Sequence, residues 1–315
     1  MSGMLAESEE RLLSHPDTGK GKLQRIALLY LREKKAKGEI PTSVRFLFYE
    51  LEQRGIVSKK TGASAKPRLN RHGNEMKKRP PAQNLGEAVM HLRKVGLIPW
   101  NWIEDETRAL FAWRSAASVA DFVVEVVPVA RLDPWAGTSR PVIICESRSM
   151  GGILRDGVAG RYLVTVAPTS GQCGGFLVTD VAPHLRDDDT RVLYLGDFDL
   201  AGGQIEANTR DVLERHTGRT FDGETWERVA LTAEQVEGLR LRGVEPILKK
   251  DDRYIDQHPH EAFECEALGQ GPIVAALRDR LDELLPEPIE DVLEREAEEK
   301  QKVRRVLARS FGRRS

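Results

Sequence analysis

The sequence predicts an α/β protein: a helical N-terminal unit followed by a domain built on a mostly parallel sheet. Three observations predict it. The first hundred residues repeat apolar side chains at helical spacing, punctuated by glycines. Beyond residue 140, short apolar runs alternate with helical stretches and end in glycine or an acid. The charge is also split: residues 1–110 hold 21 Lys or Arg against 13 Asp or Glu, and residues 111–315 hold 27 against 36. One half suits a polyanion, while the other is rich in groups that need cations.

Residues 1–20 are polar and read as a loose arm. A helix is expected over Leu23 to Lys37, with Leu23, Ile26, Ala27, Tyr30 and Leu31 on its apolar face and Gly38 as its stop. Pro41-Thr42-Ser43 opens a second, in which Val44, Leu47, Phe48 and Leu51 form the buried stripe and Gly55 is the end. Residues 82–96 give a third, with Leu85, Ala88, Val89 and Leu92 apolar. Short helices with tight turns suit a helix-turn-helix or winged-helix module. Between the second and third helices lies a basic segment with Lys59, Lys60, Lys66, Arg68, Arg71, Lys77, Lys78 and Arg79, and Glu75 as its only acid. It reads as a nucleic-acid backbone contact or as a solvated loop. Trp100 and Trp102 stack on bases or pack a domain joint, and a helix follows over Thr107 to Ala117.

Asp121 to Val129 is expected as a strand, with residues 118–140 acting as a linker. Then come the strand 141–145 ending in Glu146, the strand 162–166 leading to Gly171, and the strand 191–195 ending in Asp197-Phe198-Asp199. Helices are expected between and after them. Later signals are weaker: a capped helix start at Thr232, an edge strand over Phe263 to Leu268, and helices over 273–284 and 289–311. On that edge strand, Glu264 and Glu266 share a face, which reads as a solvated strand face or, as the alternative, as extra carboxylates near the site.

Glu146 and Asp197 are 51 residues apart, yet the strand pattern lets both converge with Asp199 beyond the C-terminal strand ends. Three carboxylates in one place repel, so they require protons or a metal. Oxygen donors with no His or Cys beside them favour Mg²⁺ over Zn²⁺. The alternative is that each acid caps a helix or faces solvent. Arg45 and Tyr49 lie four apart on one helix face. Tyr49 reads either as a half-buried aromatic or as a nucleophile with Arg45 holding a phosphate. Cys145, Cys173 and Cys265 fit neither a disulfide framework nor a zinc cluster. With no signal peptide and no long apolar run, a cytoplasmic protein without membrane contact is expected.

The strand-Glu146, strand-Gly171 and Asp197-Phe198-Asp199 pattern resembles the Toprim domain of topoisomerases, primases and some nucleases. Arg45-Phe46-Leu47-Phe48-Tyr49 resembles the Arg-x-x-Tyr/Phe-Tyr motif of the topoisomerase VI A subunit and its relative Spo11. The stretch from Gly96 to Asp105 is similar to bacterial and phage-type sequences of this kind. The resemblance implies an arm (1–22), a winged-helix-like domain with the tyrosine (23–117), a linker (118–140), a Toprim-like Rossmannoid domain (141–285) and a charged C-terminal helix and tail (286–315). It implies Mg²⁺, or Mn²⁺ in its place, held by Glu146, Asp197 and Asp199, with Tyr49, Arg45 and Glu146 catalytic. Its implied partners are double-stranded DNA, a second copy in a homodimer, and a separate ATPase or accessory subunit, since this chain has no P-loop. Two departures stand out: the chain is shorter than a typical A subunit, and Arg148 replaces the lysine often found near the first glutamate. Alternatives are a hydrolytic nuclease that does not use Tyr49, and a DNA-binding or assembly subunit without catalysis.

Overall fold

A computed structural model describes residues 5–58, 81–104, 115–171, 174–249 and 260–310. The short α1 (Glu7–Glu10) lies beside α2 (Gly19–Ala36), held by ion pairs from Arg25 to Glu10 and Arg32 to Glu9. Thr18 caps α2 through the Gly21 N–H, so the helix starts four residues before the expected Leu23. Ser43 caps α3 (Val44–Gln53) by accepting from the Phe46 N–H at 3.2 Å. With α4 (Pro81–Lys94), these helices bury Leu28, Leu31, Leu47, Leu51, Leu85 and Leu92 in one apolar cluster. Among the described residues, the β pairing of this unit is a bridge between Thr42 and Ile103. The basic segment, Lys59 to Arg79, lies outside the described residues, as does most of the helix expected over 107–117.

The strand expected over Asp121 to Val129 is instead a helix, α5 (Val119–Val126), followed by a 3₁₀ turn through Val129. Ser118 decides this locally: its hydroxyl accepts from the Asp121 N–H at 3.0 Å and starts the helix in spite of the β-branched run.

The second unit opens with β1 (Val142–Cys145) and α6 (Arg148–Leu154), which runs through a π turn into the single turn α7 (Gly160–Tyr162). Leu163 then takes a left-handed φ of 53°, so β2 (Thr165–Pro168) begins three residues later than the run 162–166 suggested. The turn α8 (Gly174–Phe176) continues as a π turn and leads to β3 (Val192–Leu195) and α9 (Leu200–Thr217). A fourth strand, β4 (Trp226–Ala230), precedes α10 (Ala233–Leu241). The antiparallel pair β5 (Ile247–Lys249) and β6 (His260–Ala262) stands apart, and α11 (Gln270–Leu284) and α12 (Ile289–Ser310) close the described chain.

The sheet order is β2-β1-β3-β4, and every neighbour pair is parallel. Alternate strand residues face opposite cores. Val142, Ile144, Val192 and Tyr194 join Leu177, Leu213 and Phe221 on one side. Ile143, Cys145, Leu193 and Leu195 join residues of α6, α10, α11 and α12 on the other. This two-sided burial explains the continuous apolar runs. Phe46 of α3 belongs to the second of these cores, which seats the helical unit on the α/β unit.

Phe263 to Leu268 is not an edge strand. Phe263 bridges Phe198, and Cys265–Leu268 form a 3₁₀ turn. The alternation that suggested a solvated face has another origin: Glu266 is fully buried.

Candidate functional site

The chain winds outward from β1 to β2 on one side and from β3 to β4 on the other, so the order reverses between β1 and β3. A crevice at such a reversal, beyond the C-terminal strand ends, is where open parallel sheets bind ligands. The register Cys145↔Leu195 brings Glu146 and Asp197 to its two lips. The Glu146 N–H donates to the Leu195 carbonyl at 2.9 Å, and the Asp197 N–H donates to Glu146 Oε2 at 3.2 Å. Asp197 Oδ1 accepts from the Cys265 N–H at 2.9 Å, while Asp199 caps α9 by accepting from the Gly202 N–H at 2.6 Å. The capping alternative therefore describes Asp199, and Glu146 and Asp197 are anchored by other backbone donors.

Arg228 on β4 holds this loop from below. It donates to the carbonyls of Gly196 (3.1 Å) and Leu231 (2.8 Å), and Glu206 neutralises it at 2.7 Å. The hydroxyl of Tyr194 is buried beneath the same loop without a hydrogen-bond partner among the described residues. Burial, then the charges of Glu146 and Glu206, push its pKa up. The Cys265 thiol is likewise pushed well up by burial, which keeps it protonated and unreactive.

Among the described residues, no group of three His, Cys, Asp or Glu side chains stands ready-made around a metal position. The donors still fit Mg²⁺ or Mn²⁺. Mg²⁺ is typically held by one or two carboxylates and keeps its other positions for water and phosphate. Glu146 and Asp197 are carboxylates at one crevice, and the Tyr194 hydroxyl beneath, unpartnered among the described residues, is suited to ordered water.

Arg45 and Tyr49 share one face of α3, with the guanidinium carbon 5.9 Å from the ring centroid. Tyr49 is 7% exposed and meets the Phe48 ring edge-on at 5.9 Å, deeper than the half-buried position its spacing suggests. It lines a groove of about 970 Å³ whose other walls include Val57, Pro246 and Phe263. Glu52, Glu245, Glu261 and Glu264 also line it, and no described lining residue is Lys or Arg.

Residues 263–267 connect the two constellations. Phe263 exchanges backbone hydrogen bonds with Phe198 at 2.8 and 3.1 Å, and Cys265 holds Asp197. On the other side, Arg45 Nε lies 2.9 Å from Glu266 Oε1 and Arg45 Nη2 lies 3.5 Å from Glu264 Oε2. The side-chain amide of Gln53 also donates to the Ala267 carbonyl. Arg228 is the residue here that sequence reasoning left out, and the alternation of Glu264 and Glu266 pointed to a solvated face more than to this contact. An ion pair between residues more than two hundred positions apart, such as Arg45 and Glu266, has no local signal.

The tryptophans separate. Trp102 packs into the helical core, while Trp100 is exposed under the Arg93 guanidinium, 5.2 Å from its ring. Glu104, just beyond, pairs with Arg155 at 2.6 Å and ties the stretch to the α/β unit. No family model matches the chain, and no curated protein or solved structure matches it significantly. Among the described residues, no helix is long and apolar enough to cross a membrane.

Proposed function

We propose that the chain cleaves double-stranded DNA by Mg²⁺-dependent transesterification to Tyr49, as its resemblance to the topoisomerase VI A subunit and Spo11 implies. The observation that supports this reading is the link through residues 263–267. It joins the helix of Arg45 and Tyr49 to the loop of Asp197 at the reversal point of a parallel sheet. On this reading residues 23–117 are a winged-helix-like DNA-binding domain and residues 141–285 a Toprim-like domain. The chain acts as a homodimer in the bacterial cytoplasm, with a separate ATPase or accessory subunit.

The Tyr49 oxygen attacks phosphorus, its proton passing to water. The bond from phosphorus to the 3′ oxygen breaks, and that oxygen takes up a proton. The products are a 5′-phosphotyrosine and a free 3′-hydroxyl. Glu146, Asp197 and Asp199 would hold Mg²⁺ or Mn²⁺, which supplies charge neutralisation at the phosphoryl oxygens. Arg45 adds a fixed positive charge at the same oxygens. Positive charge is needed here, because the acidic groove beside Tyr49 repels a bare polyanion. Lys59, Lys60, Lys66, Arg68, Arg71, Lys77, Lys78 and Arg79 grip the duplex backbone without reading sequence.

A second reading, hydrolysis by water with Tyr49 as a bystander, is favoured by the tyrosine's burial at 7% exposure. Incubation with supercoiled DNA and Mg²⁺, analysed with and without protease digestion, separates the two. Tyr49→Phe abolishes protein-linked DNA if the tyrosine attacks, and leaves nicking intact if water does. Asp197→Asn, which keeps an acceptor for the Cys265 N–H, removes cleavage in either case. Salt-sensitive DNA binding with no nicking by the wild-type protein would indicate a non-catalytic DNA-binding or assembly subunit.

A further inference from the structure

Arg45 is held by two carboxylates of different character. Glu266 is fully buried, and its Oε1 accepts from the Ser149 hydroxyl at 2.8 Å and lies 2.9 Å from Arg45 Nε in an ion pair. Ser149 shares a 2.7 Å hydrogen bond with Ser147, the neighbour of Glu146. Glu266 Oε2 is buried and has no hydrogen-bond partner among the described residues, so Arg45 is the main compensation for this charge. Glu264 is the looser contact, 3.5 Å from Nη2, and it lines the groove beside Tyr49. Burial first, and then the Glu266 charge, raise its pKa, while Arg45 lowers it.

A buried carboxylate paired at Nε restrains how a rigid guanidinium fork can turn. The weaker contact at the groove side is the one a ligand can replace. A phosphodiester offers the same charge and the same paired oxygens as a carboxylate. We propose that Glu266 is a positioning residue that holds Arg45 against Glu264 at the edge of the groove that Tyr49 lines, and that Glu264 occupies the guanidinium edge which a DNA phosphate takes over on binding. The proposal rests on the cleavage reading above and deepens it: free protein keeps its phosphate site covered by its own carboxylate. The link through Ser149 and Ser147 also ties Arg45 to the strand end that bears Glu146.

The test is binding of a fluorescent DNA duplex to the full chain by anisotropy in EDTA, followed by adduct kinetics in Mg²⁺. Glu264→Gln tightens binding about three- to tenfold, the scale expected when a competing charge leaves an interface. That gain disappears in the Arg45→Gln background, and Glu52→Gln in the same groove does not reproduce it. With Mg²⁺, Glu264→Gln lowers the KM for DNA at nearly constant kcat, whereas Glu266→Gln lowers kcat about tenfold with a smaller change in KM. Equal gains with and without Arg45, or an equal gain from Glu52→Gln, would reduce the effect to bulk charge and overturn the proposal. A Glu266→Gln loss that merely follows a lower melting temperature also overturns it. Wild-type protein that binds no DNA removes the cleavage reading and this one together. Wild-type protein that binds and forms adducts, with an unaltered Glu264→Gln variant, removes this one alone.

Discussion

Lys34 is buried at 1% exposure, where an ammonium group is tolerated only with anionic partners. It donates to both oxygens of Glu50, at 2.8 and 2.9 Å, and to Glu39 at 3.0 Å. Glu50 in turn accepts from the Gln270 N–H at 3.2 Å, so this charge cluster pins α2, α3 and the start of α11. Lys34→Met strands Glu50 without its cation and should destabilise the fold by about 3–5 kcal/mol in urea unfolding. Adding Glu50→Gln should recover part of that loss. Glu33 gives a pH signature in the same unit. Hydrogen bonds from Arg54 and then Lys37 lower its pKa from 4.5 to about 2. The folded state thus binds fewer protons than the unfolded state, and the contribution is full above pH 4.5 and lost as pH falls toward 2. The pair is about one-third exposed, which limits the effect to below about 1 kcal/mol. Melting temperatures from pH 6 to 2 should therefore fall slightly less steeply in Arg54→Met than in wild type.

The turn from β3 into α9 depends on Gly202 far more than on its neighbour. A Cβ at Gly202 would collide with the Asp197 carbonyl, whereas one at Gly203 meets nothing within 4 Å. Gly202→Ala should displace the Asp197 loop and depress both stability and Mg²⁺-dependent cleavage. Gly203→Ala should be neutral or gain up to about 1 kcal/mol from helix propensity. The two variants compared by thermal melting and nicking rate check this. Elements differ in how legible they were. The helices α2, α3 and α4 and the strands β1 and β3 follow from apolar periodicity and capping residues, because a single core face dictates each pattern. β4 escaped because Glu227 and Arg228 interrupt its apolar run. Those charges are satisfied by Arg280 and Glu206, both at 2.7 Å, which no local pattern records. The helix α5 was misread for the opposite reason: two of its four valines are exposed and none is buried, so they report no sheet at all.

Across the whole molecule the charge split acquires a direction. The helical half has the excess of Lys and Arg, whereas the groove beside Tyr49 is lined by glutamates. On the proposed reading, duplex DNA would be attracted by the basic part of the chain and resisted at the groove until cations compensate. Replacing Lys77, Lys78 and Arg79 with Gln should weaken binding for all sequences alike. It should also flatten the plot of log affinity against log salt by about 0.9 for each phosphate that is no longer neutralised. Anisotropy titrations between low and moderate salt measure that slope. An unchanged slope would mean that this segment does not touch the DNA backbone.

By itself, the sequence determined which stretches are helices with one buried face, which apolar runs form a parallel sheet, and which acids stand at its strand ends. These are local properties, set by side-chain period and by caps and stops within a few residues. Only the tertiary structure decided that Asp199 is tied to a helix N-terminus, that Tyr49 is buried beside an acidic groove, and that Arg45 is bound to Glu266. Those outcomes depend on segments far apart in the chain meeting where water is excluded. There a charge is stable only beside its partner, and the position of that partner is written in the fold rather than in neighbouring residues.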